Sequence, residues 1–426
     1  MISQPDAGQE VATRRSRRSP RDMDSLICLS LIAFTAPGQL FAQSPPGRLP
    51  PDQLPPNSGA VIADGSNAAE ASPAPVPGPF APLSSGELQA PSPQLTGGIG
   101  ASLGVTHGSY SAAPAMIGDS FGGSFLLDEP NSGSSSPIQT VSIAGGDRRF
   151  KIAENVSPIP RDRVFFNYNH FENALNDHLG RSIALDRYTA GIEKTVWDEL
   201  ASIELRLPVA QGLNSTQDFA SNDTRGAELS NLSMAFKGVL IGGTDWLISG
   251  GSTLTLPTGD GYVEAFAGDR NFFVDNDAVH LAPFIGWLVL PRPQWFAQGF
   301  VQTDFDLNGN EVRSSASGHQ GVLQDQNLLF VDASIGRWLM RRSARPSRLG
   351  GIAAIAELHY TMTMNEADYV GGIGNPYEHV DVLNLTAALH FQFGTTSIRL
   401  GGAAPLRDDE ERLYDAEIIA QWSRGF

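Results

Sequence analysis

The feature that most constrains this chain is a strict apolar/polar alternation that recurs over segments of about ten to fourteen residues through its C-terminal 260 or so positions. Leu383, Leu385, Ala387, Leu389, Phe391 and Phe393 fall on one face, with Asn384, Thr386, Ala388, His390 and Gln392 on the other. Ile352 to Met364 and Trp295 to Leu307 repeat the pattern. A period of two is that of a half-buried strand. Strands in soluble proteins average about six residues, so these are long. Their length suits tilted strands that cross a bilayer.

The connections narrow the reading further. The pattern predicts strands near 163–171, 183–197, 199–209, 228–241, 245–257, 279–290, 294–307, 327–341, 350–364, 380–393, 396–404 and 414–426. The segments between them alternate long and short, with the longer ones in the odd-numbered places. An even-stranded barrel with both ends on one side of a membrane requires that order. The expected fold is therefore all-β: an antiparallel transmembrane β-barrel of about 12 strands spanning 150–426. Lys194 and Arg337 interrupt apolar faces, which is tolerable near an interface, and Pro283 falls in mid-strand, where its missing donor is unexplained.

The chain before the barrel is of another kind. Arg14, Arg15, Arg17 and Arg18 precede the apolar run Leu26 to Phe34, then Pro37-Gly38 and Leu40-Phe41-Ala42. That order reads as a signal peptide over 1–42 with cleavage after Ala42. Residues 43–149 hold 13 of the 29 prolines between Pro45 and Pro93, with much Ser, Gly and Ala. Such a stretch buries too little apolar surface to offset its ordering entropy, so a disordered extension is expected. One island, Ala115-Met116-Ile117-Gly118-Asp119-Ser120-Phe121-Gly122, is either a sticky patch in the linker or a plug near 115–122 that docks on the barrel.

Composition excludes several functions. The formal charge of −17 argues against a nucleic-acid partner. The single Cys28 lies in the signal peptide, which leaves no disulfide and no multi-cysteine metal site. No cofactor motif is present, and no metal is expected. Asp304-Phe305-Asp306-Leu307-Asn308-Gly309 starts like a calcium loop, but Ser315 stands where the bidentate Glu belongs. A strand ending in an Asn-Gly turn is the preferred reading. A His and a Ser two residues apart, the spacing used by outer-membrane phospholipases, occur only at His107 and Ser109, in the extension, so no enzyme is expected. Asp408-Asp409-Glu410-Glu411 reads as a solvated loop tip.

The polar faces of the strands contribute a candidate lumen lining: Arg187, Glu193, Glu204, Arg206, Asp304, Asp306, Asp332, Glu357, His359, His390, Arg399 and Glu417. These line a water-filled path that sets selectivity, or they pair and fill a small barrel; twelve strands do not decide between the two. Acids outnumber Lys and Arg seven to three here, a lean towards cations or neutral solutes. Tyr262, Phe266, Phe272 and Phe273 make the loop 258–278 unusually aromatic, either a constriction or a cap on the strand ends.

The last strand carries Tyr414, Ala416, Ile418, Ala420 and Trp422 on one face and ends on Phe426. It resembles the assembly signal of bacterial outer-membrane β-barrels, with Trp422 and Phe426 as its hallmark residues and Arg424 as a departure from it. Leu254-Thr255-Leu256-Pro257-Thr258-Gly259, the Gly394-Thr395 turn and Gly401 to Leu406 resemble, over 160–426, the family of outer-membrane transporters named after the phenol-degradation meta pathway. These resemblances imply outer-membrane lipid and the barrel-assembly machinery as partners. They also imply passage of a small, unidentified molecule, with the N- and C-termini in the periplasm. The expected function is an outer-membrane channel for passive passage of small solutes. The alternative is a closed barrel that anchors the outer membrane to the periplasm or cell wall.

Overall fold

Twelve long strands form one antiparallel wall: β1 (Arg163–Asn176), β2 (Ser182–Val196), β3 (Ala201–Gln211), β4 (Leu232–Gly242), β5 (Trp246–Leu256), β6 (His280–Arg292), β7 (Trp295–Asp306), β8 (Leu328–Arg341), β9 (Leu349–Thr363), β10 (Asp381–Phe393), β11 (Thr396–Pro405) and β12 (Ala416–Gly425). Each pairs with its chain neighbours, and β12 pairs with β1 from Ala416 opposite Glu172 to Gly425 opposite Arg163. The seam closes the sheet on itself and leaves no edge strand. This computed structural model describes residues 113–120, the strands Ser124–Leu127 and Gln139–Ser142, and 149–426 apart from 177–181, 212–215, 218–226, 260, 268–269, 343–347, 376–378, 380 and 408–411. The segment 1–42 read as a signal peptide, His107, Ser109 and the acidic run 408–411 lie outside the described residues, as does most of 43–149.

The wall matches the expected strands within a few residues. The strand ends joined by its short connections, 197–200, 243–245, 293–294, 342–348 and 394–395, gather at one end together with the start of β1 and the end of β12; this is the turn end. The strand ends joined by the longer connections lie at the other, the loop end. Among the described residues no helix is long and apolar enough to cross a membrane.

Side chains sort by the strand period. Phe166, Ile192, Leu205, Phe236, Ile285, Val301, Ile335, Leu358, Leu389 and Ile418 point outward and are exposed. A contiguous apolar belt of this size is a liability in water and ordinary solvation in lipid. Lys194 and Arg337 also face outward, but near the turn end. The Lys194 ammonium lies 5.3 Å from the Phe426 ring centre, and the Arg337 guanidinium 5.4 Å from that of Trp295, as charged side chains reaching towards an interface do. Pro283 also has a physical account. It is paired to Ser252 of β5, while the β6–β7 ladder skips Ala282 and Pro283 and resumes in the same register at Phe284 opposite Gln302. The ring thus sits where the ladder asks it for no donor.

Inside, several aromatic rings lie flat along the wall over glycines of the next strand. A Cβ at Gly336 would meet the Phe296 ring at 2.0 Å, and one at Gly191 the Phe165 ring at 2.1 Å. These glycines keep the rings out of the lumen and leave room for what occupies it. At the loop end, Tyr262–Ala267 and Arg270–Asp275 form a hairpin that pairs with Asn310–Ser314, itself paired with Gly318–Leu323. The aromatic loop is thus built into a sheet, with Phe272 buried in it.

Placing a charge in the apolar belt tests the orientation of the wall. Ile285→Arg, in mid-strand, should cost about 2–4 kcal/mol in reversible unfolding from lipid bilayers, whereas Arg337→Leu at the rim should change stability by less than about 1 kcal/mol.

Candidate functional site

The lumen is occupied by the chain itself. Residues 113–120 and 149–162 run through it as two antiparallel legs, and almost every residue from Ala113 to Ser120 and from Arg149 to Ile159 is buried. The legs bond to each other, Met116 N to Val156 O at 2.9 Å and Asn155 N to Ile117 O at 3.3 Å. Between them the chain reaches the loop end, where Ser124–Leu127 pairs with Gln139–Ser142 and with Ile373–Gly374 of the β9–β10 connection. The hairpin enters and leaves by the turn end. Residues 113–120 and 149 are ordered; they fall within the range read as a disordered extension and overlap the island read as either a linker patch or a plug, and the barrel supplies the apolar burial that the segment lacks alone. Of the two arrangements left open for the lumen, a water-filled path or a paired and filled interior, the described residues have the filled one.

The wall meets the hairpin through three charged clusters. In the first, the Glu357 carboxylate on β9 accepts Ile117 N at 3.0 and 3.1 Å, Gly118 N at 2.8 Å and Ser334 Oγ at 2.9 Å. Two successive amides converge on it because Gly118 has a φ of +78°, and a Cβ there would lie 2.5 Å from Glu154 Cα. Only glycine suits that backbone and that gap. Lys151 Nζ sits 2.5 Å from Asp119 Oδ1 and 3.0 Å from Asp332 Oδ1. His359 reaches Asp332 at 2.8 Å through Nδ1 and Glu357 at 3.3 Å through Nε2. Asp119, Asp332 and His359 have ligand atoms close enough to hold a metal ion, but the Lys151 ammonium already occupies the space between the two carboxylates.

The second cluster joins β1 to β4. Arg163 pairs with Glu193 at 2.7 Å and Glu204 at 2.8 Å; Glu204 also takes Arg206 at 2.6 Å, and Glu193 takes Lys237 at 2.9 Å. The hairpin completes it: Glu154 accepts from Arg187 at 2.7 Å, and the Glu154 and Ser157 carbonyls accept from Arg206 and Lys237, each at 2.7 Å. The third lies towards the loop end, where His280 stands between Asp304 at 3.1 Å and Asp325 at 3.2 Å, with Arg149 of the hairpin 3.6 Å from Asp304. Glu417 on β12 accepts Asn169 Nδ2 at 2.7 Å and the Ser120 amide at 3.3 Å. Apolar contacts fill the remainder: Met116, Phe150, Ile152 and Val156 pack on Ala235, Phe284 and Phe300.

Eleven of the twelve residues expected to line the lumen therefore face it and are buried: Arg187, Glu193, Glu204, Arg206, Asp304, Asp332, Glu357, His359, His390, Arg399 and Glu417. Asp306 shares that face, opposite His280 in the β6–β7 ladder, but sits half-buried at the end of β7, where it accepts the Asn308 amide at 3.1 Å, the Gly309 amide at 2.8 Å and the Asp325 amide at 2.8 Å, so its carboxylate caps the turn. Trp422 and Phe426 lie on the outer side, exposed. Sequence reasoning missed Lys151, Glu154, Asn155 and Arg163. The signal for them was the apolar series Phe150, Ile152, Ala153, Val156 interleaved with charge just ahead of β1, a composition unlike the Pro/Ser/Gly tract before it.

Removing one member of a buried charge group leaves its partners uncompensated. Lys151→Met should therefore lower stability by about 3–5 kcal/mol in denaturant unfolding, and adding Asp119→Asn should restore part of the loss. Gly118→Val should expose the hairpin to protease while the barrel, tracked by a heat-modifiable gel shift, stays folded.

No protein-family model matches the chain, and no curated protein matches it. Among solved structures it is similar to an outer membrane channel from Pseudomonas putida F1, at 10% identity over 64% of this chain and 97% of that one, with a TM-score of 0.44. It is also similar to the beta domain of the Bordetella autotransporter BrkA, at 14% identity over 62% of this chain and 97% of that one, with a TM-score of 0.37. A third is CdiB from Escherichia coli, at 10% identity over 68% of each chain and a TM-score of 0.31.

Proposed function

We propose that the protein is an outer-membrane channel for passive passage of small solutes, and that its N-terminal hairpin holds the channel shut. The observation that carries this reading is the chemistry of the wall behind the hairpin. Glu193, Glu204, Asp332, Glu357, Arg399 and Glu417 are costly to bury, and an interior that only had to be filled is as stable or more stable when apolar. A polar wall is what a conduit needs once water enters it. The wall also closes through twelve ladders with no strand from the hairpin, so the hairpin can leave without breaking the barrel.

The apolar belt and the closed ladder suit a bilayer, and we assign the turn end to the periplasm, as in barrels with short periplasmic turns. The exposed Trp422 and Phe426 at the end of β12 are then available to the barrel-assembly machinery. The resemblance to the transporters of the phenol-degradation meta pathway favours small molecules, hydrophobic ones included, as the cargo. In this reading the protein is not an enzyme, and His359 serves to pair Asp332 with Glu357.

A second reading, the closed anchor, is favoured by the apolar packing of Met116, Phe150, Ile152 and Val156 against the wall, which makes the plug expensive to remove. Single-channel recording in planar bilayers separates the two. Steady openings from residues 163–426, with rare or smaller openings from the full chain, support the channel. Silence from both, with folding checked by a heat-modifiable gel shift, sinks the channel and leaves the anchor.

A further inference from the structure

At the turn end of the lumen the first hairpin leg, the approach to β1 and the wall enclose a cavity of about 60 Å³. Its polar lining comes from Arg161, Arg163, His390, Gln392, Arg399 and the hydroxyls Ser397 and Ser423; no carboxylate borders it. A water needs about 10–15 Å³ by the same measure, so the space admits several waters or one small polyatomic ion.

The charges around it do not balance. Arg163 is matched by Glu193 and Glu204. Arg399 is not matched, although only 2% of it is exposed. Its donors go to uncharged oxygens: the Ala115 carbonyl at 3.0 Å, the Met116 carbonyl at 3.2 Å, Ser423 Oγ at 3.3 Å and Asn155 Oδ1. Its Nε has no hydrogen-bond partner among the described residues, and neither does Nδ1 of buried His390. Arg161 likewise gives its guanidinium to a neutral oxygen, the Ala113 carbonyl at 2.6 Å. Burial, and then the Arg163 charge beside it, push Arg161 down to about 10, although the Glu193 carboxylate, which accepts the Arg161 backbone amide at 3.2 Å, acts the other way. Buried charge is normally paired or ligated, and guanidinium forks fit carboxylate and phosphate oxygens.

We propose that this cavity is a binding site for one small oxyanion of the carboxylate or phosphate class, held by Arg399 and Arg161 with Ser397 and Ser423 as neutral partners. The site combines hairpin and wall, since Ala113, Pro114 and Ala115 line it together with Trp338 and the polar groups of β10 to β12. It therefore exists only with the hairpin in place. It also gives the turn end of the lumen a basic character, opposite to the acidic excess read from the wall residues alone.

Isothermal titration of the full chain in detergent at fixed ionic strength, with inorganic phosphate in one series and acetate in another, tests the site and separates the two oxyanions. Saturable one-to-one binding of either, weakened at least tenfold by Arg399→Gln and by Arg161→Gln, is expected. Arg399 also bonds the hairpin, so Arg161→Gln, which loses only one neutral contact, is the decisive variant if Arg399→Gln misfolds. No saturable binding of either anion overturns the proposal, and so does binding that survives Arg161→Gln in a folded barrel.

Discussion

The rest of this structure depends on one set of hydrogen bonds, the seam between β12 and β1. In hydrocarbon an unpaired backbone amide or carbonyl has no water to turn to, so a sheet can span a bilayer only if it has no edge. Ten residue pairs, Ala416–Glu172 to Gly425–Arg163, join the last strand to the first and complete the ring. Closure assigns each side chain to lipid or lumen by the parity of its position. A slip of one residue at the seam would send Glu417 outward and Ile418 inward.

The closed wall creates the second problem, an interior lined with charge. Neither ionised side chains nor large voids are tolerated in a dry barrel, and the chain meets both demands with its own hairpin. Lys151 is inserted between Asp119 and Asp332, Glu154 meets Arg187, and two amides around Gly118 meet Glu357. Met116, Phe150 and Ile152 fill the space between. The hairpin is thus complementary to the wall both in charge and in shape, yet it adds no strand to it. That separation between a self-sufficient wall and a removable filling is the structural basis for reading the protein as a closed channel.

The barrel was legible in the sequence because its determinants are local. The period-two faces of β7, β9 and β10 and the alternation of connection lengths can be counted along the chain, and the inward residues follow from parity. Asp306 keeps that parity but is only half-buried, because it lies where the strand gives way to a turn and the backbone amides of Asn308 and Gly309 take its carboxylate. Pro283 looked like a defect only because the sequence does not show which ladder bonds are absent. The first hairpin leg stood out as an island around Met116 and Ile117, but the second leg, 149–162, was hidden. It is too short to show a period, and its charged residues read as solvated until their partners on β1 to β4 and β8 are brought within 3 Å.

By itself the sequence determined the number of strands, their directions, the apolar outer belt and the polar inner face. Each depends on residues adjacent in the chain or on the spacing between turns. Only the tertiary structure decided that the lumen is filled, which charges are paired, and that among the described residues the guanidinium groups of Arg399 and Arg161 bond to neutral oxygens at the turn end. Those outcomes depend on contacts such as Ile117 with Glu357 and Arg399 with Ala115, more than two hundred residues apart. The energy of a buried charge is set by what lies within a few ångströms of it, and no local pattern carries that information.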